Sequence, residues 1–472
     1  MVMRLQDQDF TYWFLSEAFG WDVVLQLVWT FSEPLPDNDV EAMAVALAGG
    51  PLHRRIVRPL VPGARPGWVR SAASAAPVVD TEPVDDDEVQ AWATLDLETV
   101  DLDADAGTCW ALRSVRTRAG GSALSLTCLH LVADGRSMTA AAASAGAAVG
   151  RVDPPTTGPA GHALHASATV PRIVSDVVDA ARQLVGAGGA LARTALSVVG
   201  GLRVGTNTGQ SNTGQSNTGQ SNTGKLERGV PRTARSPAHV RAPRARPSWA
   251  TVTVDVHDWE RIAREHGGTR NSLFVAVIAG ALFATGYGND GAGVKVGIPM
   301  SLRHSEEDDR SNATGGVSIV LTERPEPGGD LSDVRRLCRD AFAALSAGRR
   351  SATVHLQPVL QLLPLSLVTA VVMSGESSMP DVVASNLGQF EHVSNIGSVT
   401  ASKVAFRGTA HHVDPAGTRR FGEGLQSWYL ETDGKATFAV AGFDESRVGS
   451  AQELATALSS ELTGWGVPHE LW

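Results

Sequence analysis

Three cysteines in 472 residues (Cys109, Cys128 and Cys338) are too few and too far apart for a disulfide framework or a CxxC metal site. Tyrosine is equally scarce, lysine is far outnumbered by arginine, and only 19% of residues are charged. Acids exceed bases, 50 to 40, for a net charge of -10. That balance excludes binding by broad neutralisation of nucleic-acid phosphates. No uninterrupted apolar run of membrane-spanning length is present. The nearest, Val354 to Met373, is broken by His355, Gln357, Pro358, Gln361 and Pro364, whereas a span needs about 20 predominantly apolar residues. It reads as a buried or interfacial helix with a broken start. Asp7 and Asp9 stand where a signal peptide would carry its apolar core, so a cytoplasmic protein is expected. The GxSxG, HExxH and P-loop patterns are also missing, which removes support for serine hydrolase, zincin and kinase chemistry.

What is present is ample apolar material, 43% of the chain, with 49 Gly and 24 Pro. The abundance of Ala, Gly, Val and Arg suits a GC-rich bacterial genome. From Asn207 the sequence repeats NTGQS and ends in NTGK, without one apolar side chain to offset chain entropy. This reads as a flexible linker, continued by the Pro/Arg-rich stretch Val230 to Pro247. The chain is thereby divided into a first lobe at 1–160, a connection at 161–247 and a second lobe at 248–472. The connection opens with a helix over Val170 to Val185, whose apolar residues recur at helical spacing.

In the first lobe, strands are predicted over Val23 to Phe31, Thr108 to Thr117 and Ser122 to His130, the last two joined by a Gly120-Gly121 hairpin. Helices are expected at Asn38 to Leu47 and Ser137 to Val149. The second lobe reads as strands at Ser248 to Val256, Val294 to Pro299, Gly315 to Leu321 and Asp381 to Leu387. A hairpin pairs Leu425 to Glu431 with Ala436 to Ala441 across Asp433-Gly434. Its helices are Ser272 to Thr285, Leu331 to Ser346 and Ala451 to Leu462. Each half mixes both element types, so two α/β layered lobes are expected.

The residues that carry chemistry are Leu129-His130-Leu131-Val132-Ala133-Asp134-Gly135. Leu124, Leu126, Cys128 and His130 share strand parity, so His130 continues an apolar row and points inward where the strand ends. Imidazole there suits proton transfer near neutral pH. Asp134-Gly135 falls in the turn before the next helix, with Gly135 expected to let that turn bend tightly. On residues alone, a hydrogen-bonded core histidine followed by an ordinary Asp-Gly turn fits as well. Gly286, Gly288 and Gly291 form GxGxxG but follow a helix, the reverse of a dinucleotide fold. His411-His412 reads as a loop pair, and Cys128 as a small core residue.

HxxxDG between an apolar strand and a small-residue helix resembles the superfamily of CoA-dependent acyltransferases and nonribosomal peptide condensation domains. Leu102-Asp103, Trp110 and the strand to Val115 are similar to the segment preceding this motif in wax ester synthase/diacylglycerol acyltransferase relatives, whose usual Pro-Leu-Trp is Thr108-Cys109-Trp110 here. Val296 to Arg303 with Asn312-Ala313-Thr314-Gly315-Gly316 resembles the family's second-half strand, arginine and glycine-rich return. Ser385-Asn386-Leu387-Gly388 resembles the SNxG strand end of polyketide-associated acyltransferases. The resemblance implies two chloramphenicol acetyltransferase-like lobes, a pseudo-dimer, with an active-site tunnel between them. It implies His130 as general base, Asp134 as a structural carboxylate paired with Arg303, and a Gly135 N–H at the oxyanion. Ser385 and Asn386 would face the substrate. Donors would be acyl-CoA or acyl-phosphopantetheine, with no bound cofactor or metal, and the acceptor an alcohol or, as the alternative, an amine. A monomer is expected; a carrier-protein partner and peripheral contact with the membrane's inner face stay open. So does an inactive acyl- or carrier-binding module. Where condensation domains carry two histidines, Leu129 fills the first position, as in single-histidine branches of the superfamily.

Deleting Asn207 to Gly224 should leave folding and turnover nearly unchanged, because loop closure depends only logarithmically on length. About 1 kcal/mol or less is expected in thermal unfolding of the shortened chain.

Overall fold

The computed structural model describes residues 2–150, 172–187, 247–287, 293–303, 305, 308, 310–347, 359, 362–363, 365–374, 380–413 and 424–472. The NTGQS repeat, the Pro/Arg-rich stretch, most of the GxGxxG glycines and the first part of the Val354 to Met373 helix lie outside them. Among the described residues no single helix is long and apolar enough to cross a membrane.

Two main sheets organise the chain, and their strands are numbered here in chain order. The first has five strands: β1 (Asp22–Phe31), β2 (Val78–Val79), β3 (Trp110–Arg116), β4 (Ser122–Leu129) and β9 (Lys403–His411), in the order β9-β1-β4-β3-β2. The second has seven: β5 (Ser248–Asp255), β6 (Val294–Ser301), β7 (Thr314–Leu321), β8 (Val382–Gln389), β10 (Leu425–Thr432), β11 (Lys435–Gly442) and β12 (His469–Leu471), in the order β7-β6-β8-β10-β11-β5-β12. Around them lie α1 (Asp7–Phe19), α2 (Asp37–Gly49), α3 (Val89–Thr99), α4 (Gly135–Ala148), α5 (172–187), α6 (Val256–Glu265), α7 (Arg270–Ala284), α8 (Ser332–Ser346), α9 (Leu365–Ser374) and α10 (Ala451–Gly464).

Composition explains which elements are interior. β4 is buried at every position and β1 at all but Asp22 and Thr30, so both strands are covered on both faces. α7 is apolar all round, and Leu273 to Leu282 are essentially without exposure, which makes it the core helix of the second lobe. Thr269 caps it by accepting from the Ser272 N–H. The β10–β11 hairpin turns at Asp433 (φ 50°) and Gly434 (φ 75°), the left-handed pair that a two-residue turn requires. β8 runs parallel to both neighbours, β6 and β10, inside an otherwise antiparallel sheet.

The sequence division at 248 does not separate the two sheets. β9, for which no strand was expected, leaves the second-lobe segment and pairs antiparallel with β1 along its length, from Lys403 opposite Thr30 to His411 opposite Asp22. It lies so close to the second sheet that a Cβ on Gly408 would meet Leu25 and Trp428 at 3.2 Å each. Arg407 stands fully buried at this junction, and the guanidinium donates to Thr94 Oγ1 (3.2 Å) and Thr251 Oγ1 (3.3 Å) and lies 5.3 Å from the Trp249 ring centre. Burial pulls its pKa down to about 9.

A buried guanidinium held by two hydroxyls and a ring is costly to desolvate. Arg407→Met should therefore be more stable at pH 7, by roughly 1–3 kcal/mol in urea unfolding. The gap should narrow as pH rises past about 9, where the folded wild type can shed its charge. A destabilised variant would show that the cation contributes net stability.

Candidate active site

His130 follows β4 directly, and its backbone N–H donates to the Val23 carbonyl of β1 at 2.8 Å. Its Nδ1 lies 3.2 Å from Oδ1 of Asn312, which the second lobe supplies just before β7. The Asn312 amide group donates in turn to Asp9 Oδ1 (2.8 Å) on α1 and to the Leu131 carbonyl (3.2 Å). An amide nitrogen committed to a carboxylate and a carbonyl leaves its oxygen toward the ring. Nδ1 therefore carries the proton and Nε2 the lone pair. Asp9 Oδ2 accepts the Gln6 N–H at 3.0 Å, so the residue read only as an anti-leader charge anchors the histidine's partner.

Tyr12 lies over the same ring, with centroids 3.8 Å apart, planes inclined by 18° and its hydroxyl 2.9 Å from Nε2. With Nδ1 protonated, Nε2 is the acceptor of the Tyr12 hydroxyl. Although His130 keeps some exposed surface, the protein around it pushes its pKa below the ordinary histidine value. Burial is the dominant cause, partly offset by acceptors including its own carbonyl and Asn312, and by the Asp134 charge. The imidazole is thus neutral at pH 7. Tyr12 is held protonated by its burial and by the nearby Asp134 charge.

Asp134 caps α4, with its carboxylate accepting the Ser137 N–H at 2.9 Å. Arg303 grips it with both terminal nitrogens, Nη1 to Oδ2 at 2.8 Å and Nη2 to Oδ1 at 3.1 Å. The Ala313 N–H (2.9 Å) and the Thr314 hydroxyl (3.1 Å) complete its coordination from the second lobe. Burial acts to raise this carboxyl's pKa, but Arg303 and the two backbone donors outweigh it and hold it below the usual range. Arg303 Nη2 also donates to Ser137 Oγ and the Arg310 carbonyl.

Gly135 is the first residue of α4, and its role differs from the expected turn. Its φ is not left-handed; the constraint is space, because a Cβ there would lie 2.5 Å from Leu387 Cδ2 and 3.3 Å from the Phe406 ring. Ser385 and Asn386 lie on β8. Asn386 bonds to neither His130 nor Asp134 in the described structure. Its Oδ1 accepts the Gly388 N–H (2.9 Å) across a bulge in β8, and its amide donates to Asn271 (3.4 Å). The bulge turns Leu387 onto Gly135, and Arg136 donates to the Leu387 carbonyl at 3.3 Å. The Cys128 thiol is buried and pushed far above its ordinary pKa, so it is no nucleophile. His411 is buried against the Leu97 carbonyl at 2.7 Å, and His412 faces Asp22, both away from this cluster.

No family model and no curated protein matches the sequence. Solved structures do. The wax ester synthase/diacylglycerol acyltransferase from Marinobacter aquaeolei VT8 superposes over 98% of this chain and 98% of its own, at 14% identity and a TM-score of 0.53. The first condensation domain of the calcium-dependent antibiotic synthetase covers 98% and 96%, at 14% identity and 0.56. The condensation domain of the monacolin K polyketide synthase MokA covers 98% and 96%, at 13% and 0.54. The chain has the two-lobe fold of these acyltransferases and condensation domains. The likeness is one of fold and spans nearly the full length of each chain.

Asp134→Ala leaves Arg303 charged and without its carboxylate in a site where the two side chains are 4% and 11% exposed. A loss of roughly 3–5 kcal/mol is expected, with a similar loss for Arg303→Ala and a double mutant well below the sum. Since the Asp134 pKa is lowered on folding, its contribution is present above the ordinary carboxylate pKa and lost as pH falls through the folded value. Strict additivity in chemical denaturation would show that the pair does not act as a unit.

Proposed function

We propose that this protein is an acyltransferase that moves an acyl group from a CoA or carrier-protein thioester to a hydroxyl, without a covalent acyl-enzyme. The carrying observation is the Asp9–Asn312–His130 chain, which fixes the proton on Nδ1 and leaves Nε2 as the base. A histidine serving only the core would need no such fixed ring orientation, and an acceptor hydroxyl would take the place of Tyr12 at Nε2. Nε2 takes the proton from the acceptor hydroxyl as its oxygen attacks the thioester carbonyl. The resulting oxyanion collapses, the carbon–sulfur bond breaks, and the imidazolium returns its proton to the departing thiolate. The first N–H groups of α4, on Gly135 and Arg136, have no carbonyl one turn earlier to receive them and are the donors we assign to the oxyanion. Asp134 and Arg303 hold this helix end in place. Ser385 and Asn386 act through the β8 bulge as positioning residues in this reading.

In the two-lobe arrangement donor and acceptor would enter from opposite faces. An amine acceptor would use the same base and the same oxyanion donors, so the acceptor class is for a substrate panel to decide. Lipid or secondary-metabolite alcohols are the first acceptors to try.

His130→Ala should fold normally and lose on the order of 10²–10⁴ in thiol release from acyl-CoA with alcohol acceptors. The rising limb of the wild-type pH profile should have its midpoint below about 6.5, because the histidine must be neutral to act and its pKa is lowered. Full activity in His130→Ala, or a midpoint above the ordinary histidine value, would overturn this mechanism.

A further inference from the structure

Helix α5 is amphipathic in the reverse sense of a core-facing helix. Asp176, Asp179, Gln183 and Ala187 are its buried residues. Asp176 pairs with Arg4 and accepts the Leu60 N–H at 2.7 Å, while Asp179 pairs with Arg65 at 2.8 Å and also accepts its N–H. The helix is thus pinned by its polar face. Its apolar face stands open: Val174 is 57% exposed, Val177 52%, Leu184 64% and Val185 78%. Leu60, Leu363 and Leu367 are also exposed, at 52%, 36% and 53%. Gly63 connects the two groups, being within 4.0 Å of both Ala180 and Leu362 when a Cβ is placed on it.

Charge identifies the occupant. Both acids of α5 are used inward, Arg172 donates to the Arg58 carbonyl, and the charge left toward solvent on the helix is Arg182, bordering a shallow hollow with Val178, Ala181 and Val185. We propose that this face docks on an anionic lipid surface, with the valines and leucines in the acyl boundary and Arg182 at the headgroups. A second copy of the chain is disfavoured by the same charges, since a two-fold contact would set arginine-bearing faces together without an acid on either helix face. A protein partner would be expected to meet a recess with hydrogen-bonding groups to orient it. The surface is one layer from the histidine: Leu365 and Val368 of α9 pack on Phe10 and Phe14 of α1, which carries Asp9 and Tyr12. Docking does not depend on the acyltransferase reading, and its test needs no turnover.

The test is sedimentation of the full chain with phosphatidylcholine vesicles, with and without phosphatidylglycerol, at low and high salt. Binding is expected to the anionic vesicles and to weaken with salt. Val177→Asp with Val178→Asp should lower partition by roughly a hundredfold, and Arg182→Glu should remove the anionic preference, with melting temperatures unchanged because these side chains face solvent. Wild type that sediments with neither vesicle, or binding that survives the double aspartate, overturns the proposal. So does a concentration-dependent dimer that the same substitutions dissolve, which would make the face a self-interface.

Discussion

The Asp134 carboxylate is the constraint on which the site depends. Buried in the first lobe at the start of α4, it must be satisfied by donors from nearby, and those donors come mostly from the second lobe. Once Arg303, Ala313 and Thr314 are gathered on it, the chain between them has little freedom. Ser311 is drawn in to accept the Asp134 N–H at 2.9 Å, and Asn312, between two anchored neighbours, is delivered to His130. The ion pair therefore sets the orientation of the His130 ring without touching it. Its value is geometric, as expected of a buried pair whose Coulomb gain is largely offset by desolvation.

Much of this was legible in the sequence, for identifiable reasons. Interior strands such as β1, β4 and β11 are mostly apolar or small-residue runs bounded by turn residues, and their buried polar members, such as Gln26 and Ser125, bond to each other. The hairpins announced themselves at Gly120-Gly121 and Asp433-Gly434. Asp134 and Arg303 could be paired only through the family resemblance that the ordered motifs carry, since nothing in the local spacing joins them. β9 was hidden because Arg407 and Gly408 interrupt it, and burying an arginine there is a tertiary decision no local pattern records. α1 was hidden for a related reason: its first turn is acidic, and Asp9 is buried only because Asn312, far along the chain, meets it. Tyr12 was missed with it. α5 was read correctly as an amphipathic helix, but its periodicity could not say which face turns inward. Arg4 and Arg65 decide that.

Glycine and asparagine in the motifs also proved to have different work from the one their local sequence suggests. Gly135 is small so that Leu387 can approach, and Asn386 is polar so that the β8 bulge presenting Leu387 can close on the Gly388 N–H. The two positions are therefore halves of one contact between lobes.

That contact completes the immobilisation of α4. On one flank its end is held by Arg303, which reaches both Asp134 and Ser137; on the other, Arg136 donates to the Leu387 carbonyl and lies 5.3 Å from the Phe390 ring centre. Asp134 takes up the Ser137 N–H and leaves those of Gly135 and Arg136, the first of the helix, aimed along its axis. A dipole fixed before charge appears costs no reorganisation when it does appear, which is how an oxyanion is stabilised most effectively. Both lobes thus contribute rigidity to one helix terminus and orientation to one imidazole. His130 and the first two residues of α4 are five and six residues apart in sequence, so short-range geometry keeps them in register while long-range contacts keep them still.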